Sequence, residues 1–146
     1  MIYLAGNCSS EKRTMMVNIA KILRLNGYTV YCPFELTIED AWSYSQEDWA
    51  QKVFDADLSA INKSDIFIMV TPGRESTAGT NWEQGYAYAQ NKRIIVVQYT
   101  EEPTSLMTYC ACNTFICTDE DRIALDIIAS LSRPHDYKPC CRTVLT

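Results

Sequence analysis

Two carboxylates are the residues of this sequence best suited to acid–base or nucleophilic chemistry. Asp57 lies in a segment from Glu47 to Ile61 whose apolar residues recur at helical spacing. At about 100° per residue it falls inside the apolar arc. A carboxylate that faces a core needs a partner, and loss of solvent raises its pKa, as suits a general acid. A structural aspartate that binds backbone amides at a sheet edge explains the pattern equally well. The arc consists of Trp49, Ala50, Val53, Phe54, Ala56, Ala60 and Ile61.

Glu83 follows an apolar segment, Ile66 to Val70, that is typical of a buried strand. We expect a helix from Thr80 to Asn91, which places Glu83 in its first turn, where the helix dipole favours an ionised carboxylate. The spacing Thr80-x-x-Glu83 also matches a capping box, in which the glutamate only binds the cap amide. The spacing alone favours that structural role.

A polar loop after the first apolar run could bind an anion. Asn7, Ser9 and Ser10 precede a predicted helix whose first amides have no partner within the helix, and Lys12 or Arg13 follows closely. Alternatively, Ser10 only caps the helix and both cations are solvated. The sequence leaves both interpretations open.

The elements that position these residues follow from the periodicity. Short apolar strands alternate with amphipathic helices, which is typical of an α/β fold with a doubly wound, Rossmann- or flavodoxin-like, five-stranded parallel sheet and helices on both faces. The long aromatic-rich loop from Pro33 to Gln46 is interpreted as a lid. The predicted strands are Ile2–Ala5, Tyr28–Cys32, Ile66–Val70, Ile94–Val97 and Phe115–Cys117, and the predicted helices cover 15–23, 47–61, 80–91 and 119–131.

Ligands of such sheets bind beyond the carboxyl ends of the strands, where loops lead into helices. Three predicted loops lie there: Gly6 to Lys12, Thr71 to Thr80 and Thr100 to Leu106. We therefore expect a small-molecule site at this edge.

The composition limits the possible partners. The 146 residues are 47% hydrophobic and carry a net charge of -5, which is typical of one soluble domain and argues against binding to nucleic acid or an anionic membrane. No apolar run approaches the roughly 18 residues of a membrane span, and the first residues lack the pattern of a secretory signal. We expect a cytoplasmic protein.

Seven cysteines and one histidine could suggest a metal site. Their spacing matches no standard zinc pattern, and an odd number of cysteines argues against a disulfide framework. We expect neither a metal nor another cofactor. The residues of the rejected zinc site are Cys110, Cys112, Cys117, His135, Cys140 and Cys141.

Four ordered blocks form a longer pattern. The blocks are Ile2-Tyr3-Leu4-Ala5-Gly6, Asp57-Leu58-x-x-Ile61-x-x-Ser64-Asp65, Gly79-Thr80-x-x-Glu83-x-Gly85-Tyr86-Ala87 and Leu106-Met107. In this order, and on this series of strands and helices, they resemble the nucleoside 2-deoxyribosyltransferase family and its nucleotide N-glycosidase relatives. The resemblance extends over residues 2–117. We expect a domain of this type at 1–132 and a C-terminal tail at 133–146.

The resemblance implies roles for three residues. Glu83 corresponds to the nucleophile that attacks the anomeric carbon, and Asp57 to the carboxylate that helps to protonate the departing base. Tyr3 corresponds to the tyrosine that orients the nucleophile. The capping box would then be secondary, and a covalent glycosyl-enzyme would form, as in retaining glycosidases. The expected substrate-binding residues are Gly6, Asn7, Ser9, Ser10, Thr77, Gly79, Ser105 and Met107.

Two departures from the family pattern favour one branch of it. Deoxyribosyltransferases usually hold the sugar 5′-hydroxyl with an aspartate and an asparagine at the positions where this sequence has Thr77 and Ser105. A carboxylate would repel a phosphate, whereas hydroxyl groups can bind one. The sequence thus resembles more closely the branch that hydrolyses nucleoside 5′-monophosphates to a free base and a sugar 5-phosphate.

The resemblance also implies an assembly, because the residue at the Ser105 position reaches the neighbouring subunit's site. We therefore expect a homo-oligomer, at least a dimer. Two other functions stay open: a 2-deoxyribosyltransferase that passes deoxyribose to a second base, and a nucleotide sensor without catalysis. Trp42, Tyr44 and Trp49 could stack on a base, although packing within the core or the lid is the simpler role for them.

Overall fold

Five parallel strands form one sheet in the described part of the chain, in the spatial order β2-β1-β3-β4-β5. The computed structural model describes residues 1–7, 9–133, 137–138 and 145–146. Each neighbouring pair of strands is parallel, which confirms the predicted doubly wound α/β fold. The strands are β1 (Ile2–Gly6), β2 (Val30–Tyr31), β3 (Ile66–Thr71), β4 (Arg93–Gln98) and β5 (Thr114–Cys117).

Helices cover both faces of this sheet. Because side chains alternate along a strand, Leu4 packs on the face that the first and last helices cover, whereas Tyr3 packs on the opposite face. No helix in the described ranges is long and apolar enough to cross a membrane. The helices are α1 (Ser10–Leu25), α2 (Gln46–Lys63), α3 (Ala78–Ala89), α4 (Leu106–Cys110) and α5 (Ile123–Leu131).

The direction of the chain connections changes between the carboxyl ends of β1 and β3. These strands are neighbours, but the chain leaves β1 towards α1 on one face and leaves β3 towards α3 on the other. Such a change of direction is where doubly wound sheets bind ligands. Thr80 of α3 ties the two ends together, because its hydroxyl donates to the carbonyl of Gly6 at 3.0 Å.

Three aromatic residues lie at one level across the sheet. Tyr3 of β1 is in register with Tyr31 of β2 and with Phe67 of β3. The rings stack on the face towards α2 and α3, with centroids 5.4 Å apart for Tyr3 and Tyr31 and 5.5 Å apart for Tyr3 and Phe67. This row gives the Tyr3 ring a fixed position beneath the helices.

Several element boundaries differ from the predicted ones. β2 has only two residues, because Gly27 forms a turn with a φ of +87° before it and a 3-10 turn begins at Pro33 after it. The predicted helix at 119–131 begins with another 3-10 turn, at Glu120–Arg122. α4 begins at Leu106, the last residue of the expected loop at 100–106, and was not predicted, because five residues are too few to show a helical period.

The apolar arc predicted for α2 does not face the core along its whole length. Only Ala60 and Ile61, in the last turns of α2, are buried. Trp49 and Phe54 are 43% and 45% exposed. The periodicity correctly predicted an apolar face, but within the described chain the first turns of α2 have no covering surface.

The predicted lid contains two short 3-10 turns, at Pro33–Glu35 and Ala41–Ser43. Trp42 is 86% exposed, so the packing role that the sequence favoured for this side chain is wrong for the single chain. Tyr44 lies beside Lys52, whose ammonium group is 4.6 Å from the centre of the tyrosine ring.

Candidate active site

Tyr3 and Glu83 form the first of two tyrosine–carboxyl pairs. The Tyr3 hydroxyl donates to Oε1 of Glu83 at 2.7 Å. The helix of Glu83 begins at Ala78, two residues earlier than predicted, because Thr77 is its N-cap and accepts a hydrogen bond from the Thr80 amide. Glu83 therefore lies in the second turn, and the expected capping box with Thr80 is wrong. The carboxyl group faces the sheet, where Tyr3 holds it.

Asp57 and Tyr31 form the second pair. The Tyr31 hydroxyl donates to Oδ1 of Asp57 at 2.8 Å. Tyr31 is a site residue that the sequence reasoning missed, although alternation along its strand, which sets Tyr31 on the face opposite to Val30 and Cys32, was a signal that could have found it. The neighbouring strands β1 and β2 thus present parallel phenols to carboxyl groups on α3 and α2.

Burial controls the charge of both carboxyl groups. It raises the pKa of Glu83 to about 7, against the hydrogen bond from Tyr3, and the nearby charge of Asp57 raises it further. Burial also raises the pKa of Asp57, and the hydrogen bond from Tyr31 opposes that increase. The helix dipole, which the sequence predicted would favour an ionised Glu83, contributes roughly 0.3–1 kcal/mol. A pKa near 7 in place of 4.5 corresponds to about 3 kcal/mol.

Both phenols stay protonated at physiological pH. Burial is the largest cause that raises the pKa of Tyr3 and of Tyr31, and the carboxyl groups of Glu83 and Asp57 add to it. Each tyrosine is therefore a permanent hydrogen-bond donor to its carboxyl partner. The arrangement offers two titratable carboxyl groups with fixed orientations.

Asp57 and Glu83 line the same cavity, which has a volume of about 360 Å³. Its walls are mostly apolar. The rings of Phe54 and Trp82 meet at its rim, with centroids 5.5 Å apart, and their contribution was not anticipated from the sequence. The lining residues are Phe54, Asp57, Leu58, Ile61, Gly79, Trp82 and Glu83.

The start of α3 lies beside this cavity, and Gly79 lines it. The Thr80 hydroxyl donates its hydrogen to the carbonyl of Gly6. In the hydrogen bond between the two threonine hydroxyls, whose oxygens lie 2.7 Å apart, Thr77 is therefore the donor and Thr80 the acceptor. Thr77 therefore turns its hydroxyl oxygen, and not its hydrogen, to other partners. The amides of Ala78 and Gly79, at the start of α3, have no partner within the helix.

The first loop is not part of the cavity wall. Asn7 accepts a hydrogen bond from the amide of Ser9 at 3.0 Å, and Ser9, not Ser10, is the N-cap of α1. Lys12 forms an ion pair with Glu120 at 2.6 Å and lies over the ring of Tyr99, so this cation is not simply solvated. The roles of Asn7, Ser9 and Ser10 in substrate binding stay predictions.

Ser105 and Met107 also lie outside the cavity wall. Ser105 is the N-cap residue of α4, and Met107 is 70% exposed. The backbone before α4 is held in place because the Thr146 amide donates to Thr104 and the Leu106 amide donates to Thr146. The loop thus presents Ser105 and Met107 at the surface of the chain.

Neither a metal cluster nor a second, larger cavity in the described part of the chain offers an alternative to this site. No three His, Cys, Asp or Glu side chains converge within the described ranges, and His135, Cys140 and Cys141 lie outside them. A cavity of about 580 Å³ lies between the ends of β4 and β5 and α5. Its Arg122 is paired with Asp126, and Asp57 and Glu83 are on the other face of the sheet.

Comparison with known proteins decides the family. The model of the family described as nucleoside 2-deoxyribosyltransferase matches residues 2–125, which include both tyrosine–carboxyl pairs. The chain belongs to the nucleoside 2-deoxyribosyltransferase family. This family consists of glycosyl-transferring enzymes, and a pair of oriented carboxyl groups in one cavity is what displacement at a glycosidic carbon requires.

Individual family members and structures agree with this assignment. A nucleoside deoxyribosyltransferase of Lactobacillus johnsonii is 31% identical over 77 residues, which are 51% of this chain and 52% of that protein. The match thus spans about half the length of the curated relative. The solved 2-deoxyribosyltransferase of Bacillus psychrosaccharolyticus has a TM-score of 0.73 and 28% identity, and the match covers 89% of this chain and 94% of that one.

A CMP N-glycosidase of Clostridium botulinum shares the fold, with a TM-score of 0.62 and 20% identity over 88% of this chain and 98% of that chain. At this identity the likeness concerns the fold alone. A choice between hydrolysis and transfer must therefore rest on the residues of this chain.

Proposed function

We propose that the protein is an N-glycosidase that hydrolyses (deoxy)nucleoside 5′-monophosphates to a free base and a (deoxy)ribose 5-phosphate. One observation carries the proposal: Glu83 and Asp57 line one cavity, and each is held by a buried or half-buried tyrosine. One carboxyl group can then act on the anomeric carbon while the other acts on the base.

The reaction has two balanced steps. In the first, the ionised carboxyl group of Glu83 attacks C1′, the C1′–N bond breaks, and its electron pair leaves with the base, which takes the proton of Asp57. In the second, water attacks C1′ of the glycosyl ester, the bond to Glu83 breaks, and the water proton returns to Asp57. Two displacements at C1′ retain the anomeric configuration.

The active protonation state has one proton on the pair, with Glu83 ionised and Asp57 neutral. Because the pKa of Glu83 is near 7 and burial raises that of Asp57, forms with one proton are populated around and below neutral pH. Tyr3 stabilises the ionised form of Glu83 by its hydrogen bond. The site thus provides a nucleophile and an acid without a cofactor.

The preference for a 5′-phosphate rests on the start of α3. At the N-cap of α3 this chain has Thr77 in place of an aspartate, whose charge would repel a phosphate. The helix begins at Ala78, and its first amides are directed towards its N-terminal end, where an anion can bind. Gly79 and Glu83 line the same cavity, so one substrate can contact both the start of α3 and the Glu83 carboxyl group. A phosphate can be bound there while C1′ lies at the carboxyl group.

We also propose that the active form is a homo-oligomer, at least a dimer. Six large apolar side chains of the predicted lid, α2, α3 and α4 are exposed, two of them, Phe54 and Trp82, in the cavity wall, and apolar surface of this kind is typical of a subunit interface. Ser105 and Met107 lie outside the wall of their own cavity and would complete the neighbour's. The exposed residues are Trp42, Trp49, Phe54, Trp82, Leu106 and Met107.

A 2-deoxyribosyltransferase is the second candidate, favoured by the likeness to the Bacillus psychrosaccharolyticus enzyme. It shares the first step and differs only in that a second base, in place of water, captures the glycosyl ester. A nucleotide sensor is the third candidate, and it would need only the cavity and not the oriented carboxyl pair.

One chromatographic experiment separates these functions. The protein is incubated with each common ribo- and deoxyribonucleoside and with its 5′-monophosphate, with and without a second free base. Release of base and sugar 5-phosphate from monophosphates supports the proposal, and preferential formation of a new nucleoside would overturn it in favour of transfer. Binding without any released base, unchanged in Glu83→Gln, would indicate a sensor.

A further inference from the structure

Tyr31 contacts the candidate acid but takes part in neither of the two proposed chemical steps. It lies on β2, the edge strand of the sheet, in register with Tyr3. Its ring stacks on that of Tyr3 with an angle of 19° between the planes. This stacking fixes the direction of the hydroxyl group, which reaches across to α2 and donates to Oδ1 of Asp57 at 2.8 Å.

We propose that Tyr31 is a positioning residue that fixes the acidic proton of Asp57 on Oδ2, the carboxyl oxygen that the tyrosine does not bind. The proposal rests on the proposed function, since it assigns Tyr31 to the step in which Asp57 protonates the base.

The chemistry of the contact determines which oxygen carries the proton. Tyr31 stays protonated, because burial raises its pKa, so its hydroxyl hydrogen points to Oδ1 of Asp57 at every working pH. An oxygen that accepts this hydrogen bond is the poorer site for the carboxyl proton. Oδ2 then holds the proton in neutral Asp57 and delivers it to the leaving base.

The same bond also tunes the acid. The titratable groups that face Asp57 are Tyr31 on β2, Tyr3 on β1 and Glu83 on α3. Of these, Tyr31 donates directly to Asp57 and favours its ionised form, which opposes the effect of burial. Without the hydroxyl group the pKa of Asp57 would rise, and the acid would release its proton less readily.

Tyr31→Phe tests this role, because it removes the hydroxyl group and keeps the ring that stacks on Tyr3. On the nucleotide that the wild type cleaves fastest among the common 5′-monophosphates, we expect kcat to fall about 10-fold, in line with loss of one hydrogen bond to the carboxylate that Asp57 becomes as it gives up its proton. KM should change little. The pH profile should move to higher pH, because the carboxyl pair holds its protons to higher pH when the pKa of Asp57 rises. A purely structural residue would lower the amount of folded protein without moving the profile.

Tyr86→Phe is the matched control, since it also removes a tyrosine hydroxyl that donates to a side chain at 2.8 Å, that of Asn62, outside the cavity wall. It should keep the wild-type profile. In Asp57→Asn, adding Tyr31→Phe should have no further effect on the residual kcat. An unmoved pH profile in Tyr31→Phe, or additive effects of the two substitutions, would overturn the role of Tyr31 while leaving the proposed function intact.

A measurement on the wild-type chain gives the same test without catalysis. The ¹³Cζ chemical shift of Tyr31 should follow the titration of Asp57 and should lose that transition in Asp57→Asn. A shift that is insensitive to Asp57 would refute the contact even if Tyr31→Phe did not fold. If the wild type releases no base from any nucleoside or nucleotide, the proposed function fails, which is distinguishable from either result on Tyr31.

Discussion

The hydroxyl group of Tyr3 lies 2.7 Å from Oε1 of Glu83, although 80 positions of the chain separate the two residues. The Tyr3 side chain is fully buried and stacks between Tyr31 and Phe67. Because the ring cannot move within this row, the hydrogen bond holds the carboxyl group of α3 against the sheet. The nucleophile proposed for the reaction is therefore oriented by the core of the protein.

Removal of the Tyr3 hydroxyl should slow the reaction and raise the pKa of Glu83. The hydrogen bond favours the ionised carboxyl group, and a bond to a charged group contributes roughly 1.5–3 kcal/mol, so Tyr3→Phe should lower kcat about 10- to 100-fold. Initial rates of base release measure this. The control is Tyr88→Phe, which removes the hydroxyl group of an exposed tyrosine on α3, the helix of Glu83. Its kcat should match that of the wild type. Equal rates for both variants would contradict the orienting role of Tyr3.

The pH dependence of kcat/KM should be bell-shaped, with its alkaline limb near the pKa of Glu83, about 7. The reaction needs one proton on the carboxyl pair, and above this pH the pair loses its last proton. The second pKa of the substrate phosphate, near 6, enters the fit. In Asp57→Asn the alkaline limb should disappear, because the remaining carboxyl group acts only when ionised. A wild-type rate that rises through pH 7 to a plateau would show that the proton of Asp57 is not needed.

Glu83→Gln should stabilise the protein at alkaline pH. The folded-state pKa of Glu83, about 7, lies above its unfolded value of 4.5, so its contribution to stability is complete below pH 4.5 and is lost as the pH rises through 7. Gln does not titrate and can still accept the bond from Tyr3. The difference in free energy of unfolding should therefore grow between pH 5 and 8, to at most about 3 kcal/mol.

Urea unfolding at several pH values measures that difference. Glu75→Gln removes an exposed carboxylate and serves as the control for the change in net charge. A pH-independent difference between Glu83→Gln and the wild type would mean that Glu83 is not buried in the way described.

Thr77→Asp should change the substrate preference. Aspartate is as good an N-cap as threonine, so α3 should persist, but its charge repels a phosphate. We expect KM for 5′-monophosphates to rise about 10-fold or more, the effect of roughly 1.4 kcal/mol, with little change for nucleosides. Steady-state kinetics on both substrate classes measure the ratio, and Thr77→Ser should preserve it. An unchanged ratio in Thr77→Asp would exclude phosphate binding at the start of α3.

Mixing two inactive variants should restore activity if Ser105 completes the neighbour's site. Glu83→Gln lacks the nucleophile, whereas Ser105→Trp blocks the partner's cavity. A mixed dimer contains one site with both native residues, so after exchange of subunits about a quarter of the wild-type activity should return. Each variant alone gives the baseline. No recovery, together with analytical ultracentrifugation that shows mixed dimers, would place Ser105 outside the site.

The sequence by itself determined the fold class and the candidate carboxyl groups. Continuous apolar strands between amphipathic helices can bury both faces only in a parallel, doubly wound sheet, so local periodicity sufficed for the architecture. Asp57 stood out because it interrupts an apolar face, and Glu83 because it follows a buried strand. The sequence did not determine the ends of the helices, because capping residues such as Thr77 set them and several nearby residues could also have capped the helix.

Only the tertiary structure decided how the two carboxyl groups are held and charged. The register that sets Tyr31 beside Tyr3 joins strands that are distant in sequence, and no local pattern specifies which phenol meets which carboxyl group. The same holds for the charge of Glu83: the helix dipole can be read from the sequence, but the desolvation that raises its pKa depends on Leu58, Trp82 and the other cavity walls. Burial depends on how the helices and the sheet pack together, and at this site its effect on the pKa of Glu83 exceeds that of the helix dipole.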